Sequence, residues 1–303
     1  MGQTFVEEIA EFINPNDMML NEPMAKHTTF RTGENVSAYI RIRNKEQLKR
    51  LMKCLREKEK EYFVVGNGSN LLVGDKGYSG VIVAIARGYD KIEIDGNTMR
   101  VESGAMLSQV AHAAAQASLT GLEFASGIPG TLGGGVMMNC GAYDGEMKQV
   151  VRQVTVLKPD GSEAVYTNEE LQFGYRTSLI KTSGDIVLDA TLTLEPGERD
   201  SILARMEELN ERRREKQPLE YPSAGSTFKR PEGNFAGKLI MEANLRGYRI
   251  GGACVSEKHC GFIINDKGAT SADIRQLISY VTDRVKKNTG IVLEPEVIFL
   301  GDF

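Results

Sequence analysis

The sequence has no tryptophan, three histidines and four cysteines among 303 residues. Cys54, Cys140, Cys254 and Cys260 are scattered and form no CxxC pair, which sets aside a zinc ribbon or a thioredoxin-like redox motif. Cys254, His259 and Cys260 lie near one another but lack zinc-site spacing, so no metal is expected. Dispersed cysteines fit a reduced, cytoplasmic protein better than a disulfide framework. No stretch approaches the ~20 apolar residues that span a bilayer. The first eleven residues carry acidic groups and no signal-peptide layout, so no membrane partner is expected. The charges nearly balance: 37 basic residues face 41 acidic ones, for a net charge of −4. That balance lacks the basic footprint of a nucleic-acid binder, yet leaves room for a local basic pocket. GK[ST] is absent, which excludes a P-loop.

The rest of the composition is that of an ordinary globular chain, long enough for two or three compact units. Phe5, Ile9 and Phe12 are spaced as one face of a short amino-terminal helix. Residues 36–42 alternate as a strand, and 45–60 form a charged helix with Leu48, Leu51, Met52 and Leu55 inward. Short strands are expected at 62–65, 71–73 and 81–86. Asp95–Gly96–Asn97 joins 91–94 to 98–101 as a hairpin. An Ala-rich helix follows at 106–119, then strands at 150–157, 163–166 and 186–194. Pro196–Gly197 marks a boundary before a charged helix at 199–216. Residues 218–233 read as irregular. A last helix opens at 271–273 and stops near Gly290, and residues 291–300 read as a final strand. Strands outnumber helices in the first 200 residues and several are joined by hairpins, so the expected class is α+β.

Two glycine-rich stretches carry the chemistry. Gly66–Asn67–Gly68–Ser69–Asn70 can bring backbone N–H groups close to a pyrophosphate, because glycine permits close approach and positive φ. It resembles the start of GxGxxG, but Leu71 replaces the third glycine and a strand follows instead of a helix. A tight turn between two strands accounts for it equally well. The second stretch, 121–145, holds eight glycines in 25 residues and includes Gly127–Ile128–Pro129–Gly130–Thr131–Leu132–Gly133–Gly134–Gly135. Glycine is costly in regular structure, so two such stretches point to a backbone shaped around a ligand.

These segments resemble the flavin loops of the p-cresol methylhydroxylase-type FAD-binding fold: residues 64–73 the first, and 127–145, with Asn139–Cys140–Gly141–Ala142–Tyr143, the second. Within that superfamily the chain resembles the UDP-N-acetylenolpyruvoylglucosamine reductase (UDP-N-acetylmuramate dehydrogenase) family. Thr28–Thr29–Phe30–Arg31–Thr32–Gly33, Tyr175–Arg176–Thr177–Ser178, Pro222–Ser223–Ala224–Gly225–Ser226–Thr227–Phe228–Lys229 and Leu293–Glu294–Pro295–Glu296–Val297 follow its signatures in order. Only four residues separate Lys181 from Ile186, so the chain resembles the second, shorter subtype that lacks the tyrosine loop. Glu34, Arg230 and Gly261 depart from the family's frequent residues.

The resemblance implies an α+β protein with a two-part FAD-binding domain, 1–88 and 89–197, and a substrate-binding domain at 198–293, with 294–303 returning to the first part. It implies FAD and NADPH as cofactors and a UDP-sugar as substrate; a monomer is the working expectation. Val65, Gly66, Asn67, Gly68, Ser69, Asn70 and Leu71, then Ile128, Pro129, Gly130, Thr131, Gly133, Gly134, Gly141 and Ala142, are implied to hold FAD. Tyr175, Lys229 and Arg230 are implied to meet the substrate. Arg176 is implied as the cation facing a carboxylate that becomes an enolate, since its planar fork suits that shape. Ser226 is implied as the proton donor, with Lys229 near it in sequence. Glu296 is implied to donate or orient a hydrogen bond, and strand alternation sets it opposite Val297 and Phe299. His259 reads either as a base or as a turn residue. Two rival readings are an alcohol oxidase of the same superfamily and a non-catalytic nucleotide-binding module.

Overall fold

The computed structural model describes residues 3–303, and side chains from Phe5 onward. Met1 and Gly2, within the expected amino-terminal segment, lie outside the described residues; the helix spans Gln3–Ala10 and buries Phe5 and Ile9. The chain forms two compact units. The first comprises Met1–Met19, Ala38–Asn67 and Gly80–Arg212; the second comprises Leu20–Ser37, Gly68–Ser79 and Arg213–Phe303.

The first unit has two cores. In one, the helix Lys45–Glu57 turns Leu48, Leu51, Met52 and Leu55 inward, as its 3–4 spacing dictates. Asn44 starts it by accepting the Gln47 N–H at 2.9 Å. Those side chains meet Ala38, Ile40, Ile42, Val81, Val83 and Ile85, and the strand Tyr62–Val65 runs parallel to residues 81–84. Burying each of the larger side chains is worth about 1.5–3 kcal/mol. In the other core, five antiparallel strands stand in the order Glu163–Thr167, Val151–Leu157, Ile186–Thr193, Thr98–Glu102, Ile92–Asp95. The expected hairpin turns at Gly96, whose φ is +57°. The helices Leu107–Gln116 and Leu132–Met137 contribute Leu107, Val110, Leu132 and Val136 to this core. The second helix lies inside the stretch read from sequence as loop. Its three glycines mask the helical signal.

In the second unit, Leu71–Val73 pairs in parallel with Ile298–Leu300, and Arg249–Ile250, Ala253–Val255 and Ile263–Asn265 form an antiparallel sheet. The long helix Ser271–Thr289 begins with Thr270 accepting the Asp273 N–H, while Asp75 accepts the Ser271 and Ala272 N–H groups at 2.8 and 2.6 Å. It ends at Gly290 with φ +77°.

The final strand is shorter than the 291–300 expected. Pro295 has no N–H to donate, and its neighbours on either side make the bonds to residues 227–229 instead of to Leu71–Val73. Lys229 N–H donates to Glu294 O at 2.9 Å and Glu296 N–H to Thr227 O at 2.8 Å. These two bonds form an isolated antiparallel bridge between Phe228 and Pro295, and the parallel strand starts only at Ile298; with this change of partner the expected alternation fails: Val297 is buried and Phe299 is exposed.

Candidate active site

In the first unit the two glycine-rich stretches touch. Asn67 Nδ2 donates to Pro129 O at 2.7 Å. A Cβ on Gly66 would collide with Thr131 Oγ1 and come within 3.2 Å of Thr131 Cβ and Cγ2. Thr131 is buried, and rotating it would still leave its Cβ close to the added group. Only glycine fits position 66 in this arrangement.

Three consecutive glycines in the helix Leu132–Met137 have different reasons. A Cβ added at Gly133 would come within 3.0 Å of Ser103 Cβ, and one at Gly135 within 3.0 Å of Cys140 Sγ. A Cβ on Gly134 would meet nothing nearer than Thr131 Oγ1 at 3.7 Å, and the residue is exposed. A helical glycine costs about 1 kcal/mol against alanine. Packing does not account for it at 134, where it leaves a bare backbone beside Thr131 and Gly66. Ile128 and Gly130 are half-buried and Pro129 is exposed on the same loop. Val65 is buried at the end of its strand.

The stretch continues into a hairpin, Gly141–Ala142 paired with Gly145–Glu146. Tyr143 and Asp144 at its tip have φ of +51° and +67°, an arrangement usually left to Asn–Gly. Arg176 Nη2 donates to Gly141 O at 3.2 Å. Arg176 sits in a tight turn closed by Gly174 N–H to Thr177 O at 3.0 Å and Thr177 N–H to Gly174 O at 3.3 Å. Its own φ is +54°, a region that costs a side-chain-bearing residue roughly 1–2 kcal/mol. The guanidinium lies 5.4 Å from the Tyr175 ring centroid, and that ring is exposed. A strained, half-buried cation held over an aromatic ring suits an anion that must be met in one orientation.

In the second unit, Ser226 follows Gly225, whose φ is +76° and whose absent Cβ would meet nothing within 4 Å. Ser226 is exposed, but its neighbour Thr227 is fully buried. Thr227 N–H donates to Gly261 O at 2.8 Å, and Thr227 Oγ1 accepts the Ile263 N–H at 3.0 Å. The bond from Glu296 N–H to Thr227 O brings the Ser226 and Glu296 segments together. Asn70 Nδ2 donates to Glu296 O at 3.0 Å, so the residue is held at both its backbone groups. Gly68, with φ +61°, has no room for a side chain beside the His27 carbonyl. Ser69 is half-buried, and Leu71 is buried in its strand. Lys229 Nζ bonds Glu294 at 2.7 Å, and Arg230 stacks on Phe235 at 4.1 Å.

His259 reads as the turn residue. Its Nδ1 accepts the Gly261 N–H at 3.1 Å, its ring edges onto Phe262, and burial lowers its pKa toward the neutral form. The buried Thr227 and Asn139 lie within the quoted signatures but were given no task from the sequence. No cluster of His, Cys, Asp or Glu suited to a metal ion occurs among the described residues.

Known proteins match these features from end to end. Residues 36–165 match a family model described as an FAD binding domain, and 217–300 match the UDP-N-acetylenolpyruvoylglucosamine reductase C-terminal domain. A UDP-N-acetylenolpyruvoylglucosamine reductase of Agathobacter rectalis is 48% identical, with 100% of both chains covered. The chain belongs to the UDP-N-acetylenolpyruvoylglucosamine reductase family. A member from Clostridium botulinum is 49% identical over 94% of this chain and 93% of its own. The crystal structure of the enzyme from Thermus caldophilus superposes with a TM-score of 0.80 at 36% identity, covering 94% of this chain and 98% of that one. Like its family, the chain is an FAD-dependent oxidoreductase of mixed helix and strand, with an FAD-binding domain and the family's C-terminal domain. FAD fits the first unit: Gly66 is kept free of a side chain and Gly134 is left bare where the two loops meet. No described helix is long and apolar enough to cross a membrane.

Proposed function

We propose that this chain reduces UDP-N-acetylglucosamine enolpyruvate to UDP-N-acetylmuramate with NADPH, a step in peptidoglycan precursor synthesis in the cytoplasm. The observation that carries the reading is the contact between the two glycine-rich loops, Asn67 to Pro129 and Gly66 against Thr131, within a chain that matches this reductase family over its whole length.

Bound FAD supplies the chemistry of hydride acceptance from NADPH and hydride donation to the enolpyruvyl methylene. Val65, Gly66, Asn67, Gly68, Ser69, Asn70 and Leu71 would hold it, together with Ile128, Pro129, Gly130, Thr131, Gly133, Gly134, Gly141 and Ala142. Residues 1–88 and 89–197 serve the flavin, and 198–293 serve the substrate. Negative charge develops next to the substrate carboxylate as the methylene carbon gains its hydride. Arg176 faces that charge with a planar fork whose strained turn fixes its direction. Glu296 would donate or orient a hydrogen bond to the substrate. Ser226 delivers the proton that completes the saturated lactyl ether. A serine hydroxyl is a weak acid, but an enolate is a base strong enough to take its proton. Tyr175, Lys229 and Arg230 meet the rest of the UDP-sugar, Lys229 after leaving Glu294.

Anaerobic assay tests this. The purified protein should be yellow, NADPH should bleach it, and the enolpyruvyl substrate should restore the colour with formation of UDP-N-acetylmuramate. A colourless preparation that takes up no FAD would favour a nucleotide-binding module. Bleaching by an alcohol donor, with oxygen as the acceptor, would favour an oxidase.

A further inference from the structure

Asn139 is 1% exposed, sits at φ +41° and uses its whole amide. Nδ2 donates to Gly174 O at 3.0 Å and to Glu146 Oε2 at 3.1 Å; Oδ1 accepts the Lys148 N–H at 2.9 Å. The reversed amide would set an oxygen against a carbonyl and a carboxylate, and an NH2 against an N–H. The network therefore fixes its orientation. Gly174 closes the turn that carries Arg176; Glu146 belongs to the hairpin whose Gly141 carbonyl accepts from Arg176, and Lys148 lies in the 3-10 turn that follows it. One buried side chain thus ties the turn of the cation to the end of the glycine-rich loop.

We propose that Asn139 is the positioning residue for Arg176, holding its turn at a fixed distance from the Gly141–Ala142 hairpin. The assignment rests on the reading of Arg176 as the cation that faces the developing charge. Asn139 touches no reacting atom in this reading and acts only through Gly174. Ser178, whose Oγ donates to Met137 O at 2.9 Å, anchors the far side of the same turn. The turn is then pinned on both sides of Arg176, and loss of the Asn139 bond frees one of them.

Asn139→Gly tests this, because glycine accepts φ +41° without strain and only the amide is removed. Stopped-flow mixing reads three quantities: flavin content, bleaching by NADPH, and reoxidation of the reduced enzyme by UDP-N-acetylglucosamine enolpyruvate. Asn139→Gly should keep flavin content and bleaching within about twofold and slow reoxidation about 10–100-fold, as a misplaced group does. In an Arg176→Ala background it should add less than about a threefold further loss, because the group it positions is gone. Equal losses in both backgrounds, a loss that tracks lost flavin, or a wild-type rate would overturn the assignment. Should Asn139→Gly fail to fold, the isosteric Asn139→Asp is read the same way; failure of both to fold overturns the assignment in favour of stability alone. A wild-type enzyme that the enolpyruvyl substrate does not reoxidise overturns the reaction itself, and the assignment with it.

Discussion

Replacing Gly66 with alanine isolates the contact on which the flavin site depends. The backbone there is not in the left-handed region, so alanine brings no dihedral strain. The added methyl instead collides with Thr131 Oγ1 and comes within 3.2 Å of Thr131 Cβ and Cγ2. Thr131 is 2% exposed, so relief has to come from separating the loops. Overpacking of this kind costs about 1–3 kcal/mol. If separation falls on the flavin-bound state, that range corresponds to a roughly 5–150-fold rise in the Kd for FAD. The neighbouring bond from Asn67 to Pro129 is strained by the same movement. The assay is titration of flavin-stripped protein with FAD, followed by quenching of flavin fluorescence, for Gly66→Ala, Thr131→Ala and the double variant. Thr131→Ala removes the colliding Oγ1 and one 3.2 Å contact, so the double variant should bind FAD more tightly than Gly66→Ala alone. Wild-type affinity in Gly66→Ala, or no recovery in the double variant, would refute the steric reasoning.

Arg176→Gly should relieve the φ of +54° and leave the melting temperature unchanged or slightly raised, while steady-state reduction of the enolpyruvyl substrate falls by about 10³-fold; a marked drop in melting temperature would make the arginine a structural residue. Asp17→Asn should destabilise the protein at pH 7 by roughly 1 kcal/mol, since Arg43, which lies partly in solvent, holds the Asp17 carboxyl below its usual 3.8. A folded-state pKa that is depressed stabilises the protein above the unfolded value and loses that contribution as pH falls through the folded one. The gap between Asp17→Asn and wild type in urea unfolding should therefore narrow below about pH 4, and a gap independent of pH would contradict the assignment.

Helices such as Lys45–Glu57 and Ser271–Thr289 were legible because an apolar stripe and caps agree. The hairpin at Gly96 was legible from its turn residues. The helix Leu132–Met137 was not, because its glycines have helix-breaking propensity and are kept for close contacts with Ser103 and Cys140 and for the bare surface at Gly134. The two- and three-residue strands of the second unit are too short for an alternating pattern to stand out. The segment around Glu296 looked like one strand because Val297 and Phe299 alternate, whereas it changes partner: Pro295 bridges Phe228, and only from Ile298 does the chain pair with Leu71–Val73. For the candidate site, motifs in the family's order pointed to the glycine loops and to Arg176, Ser226 and Glu296. The left-handed backbone at Arg176 and the three bonds of Asn139 depend on partners distant in sequence, so no local pattern announces them.

The most direct test of the central claim is a single-turnover comparison of wild type with Ser226→Ala, each reduced by NADPH without oxygen and then mixed with UDP-N-acetylglucosamine enolpyruvate. The variant should bleach at the wild-type rate, because the flavin loops are untouched, and should form UDP-N-acetylmuramate at least about 10²-fold more slowly, in keeping with the loss of a proton donor. Product formation at the wild-type rate would remove Ser226 from the reaction and contradict the assignment of proton delivery to the segment that Thr227 and Glu296 hold in place.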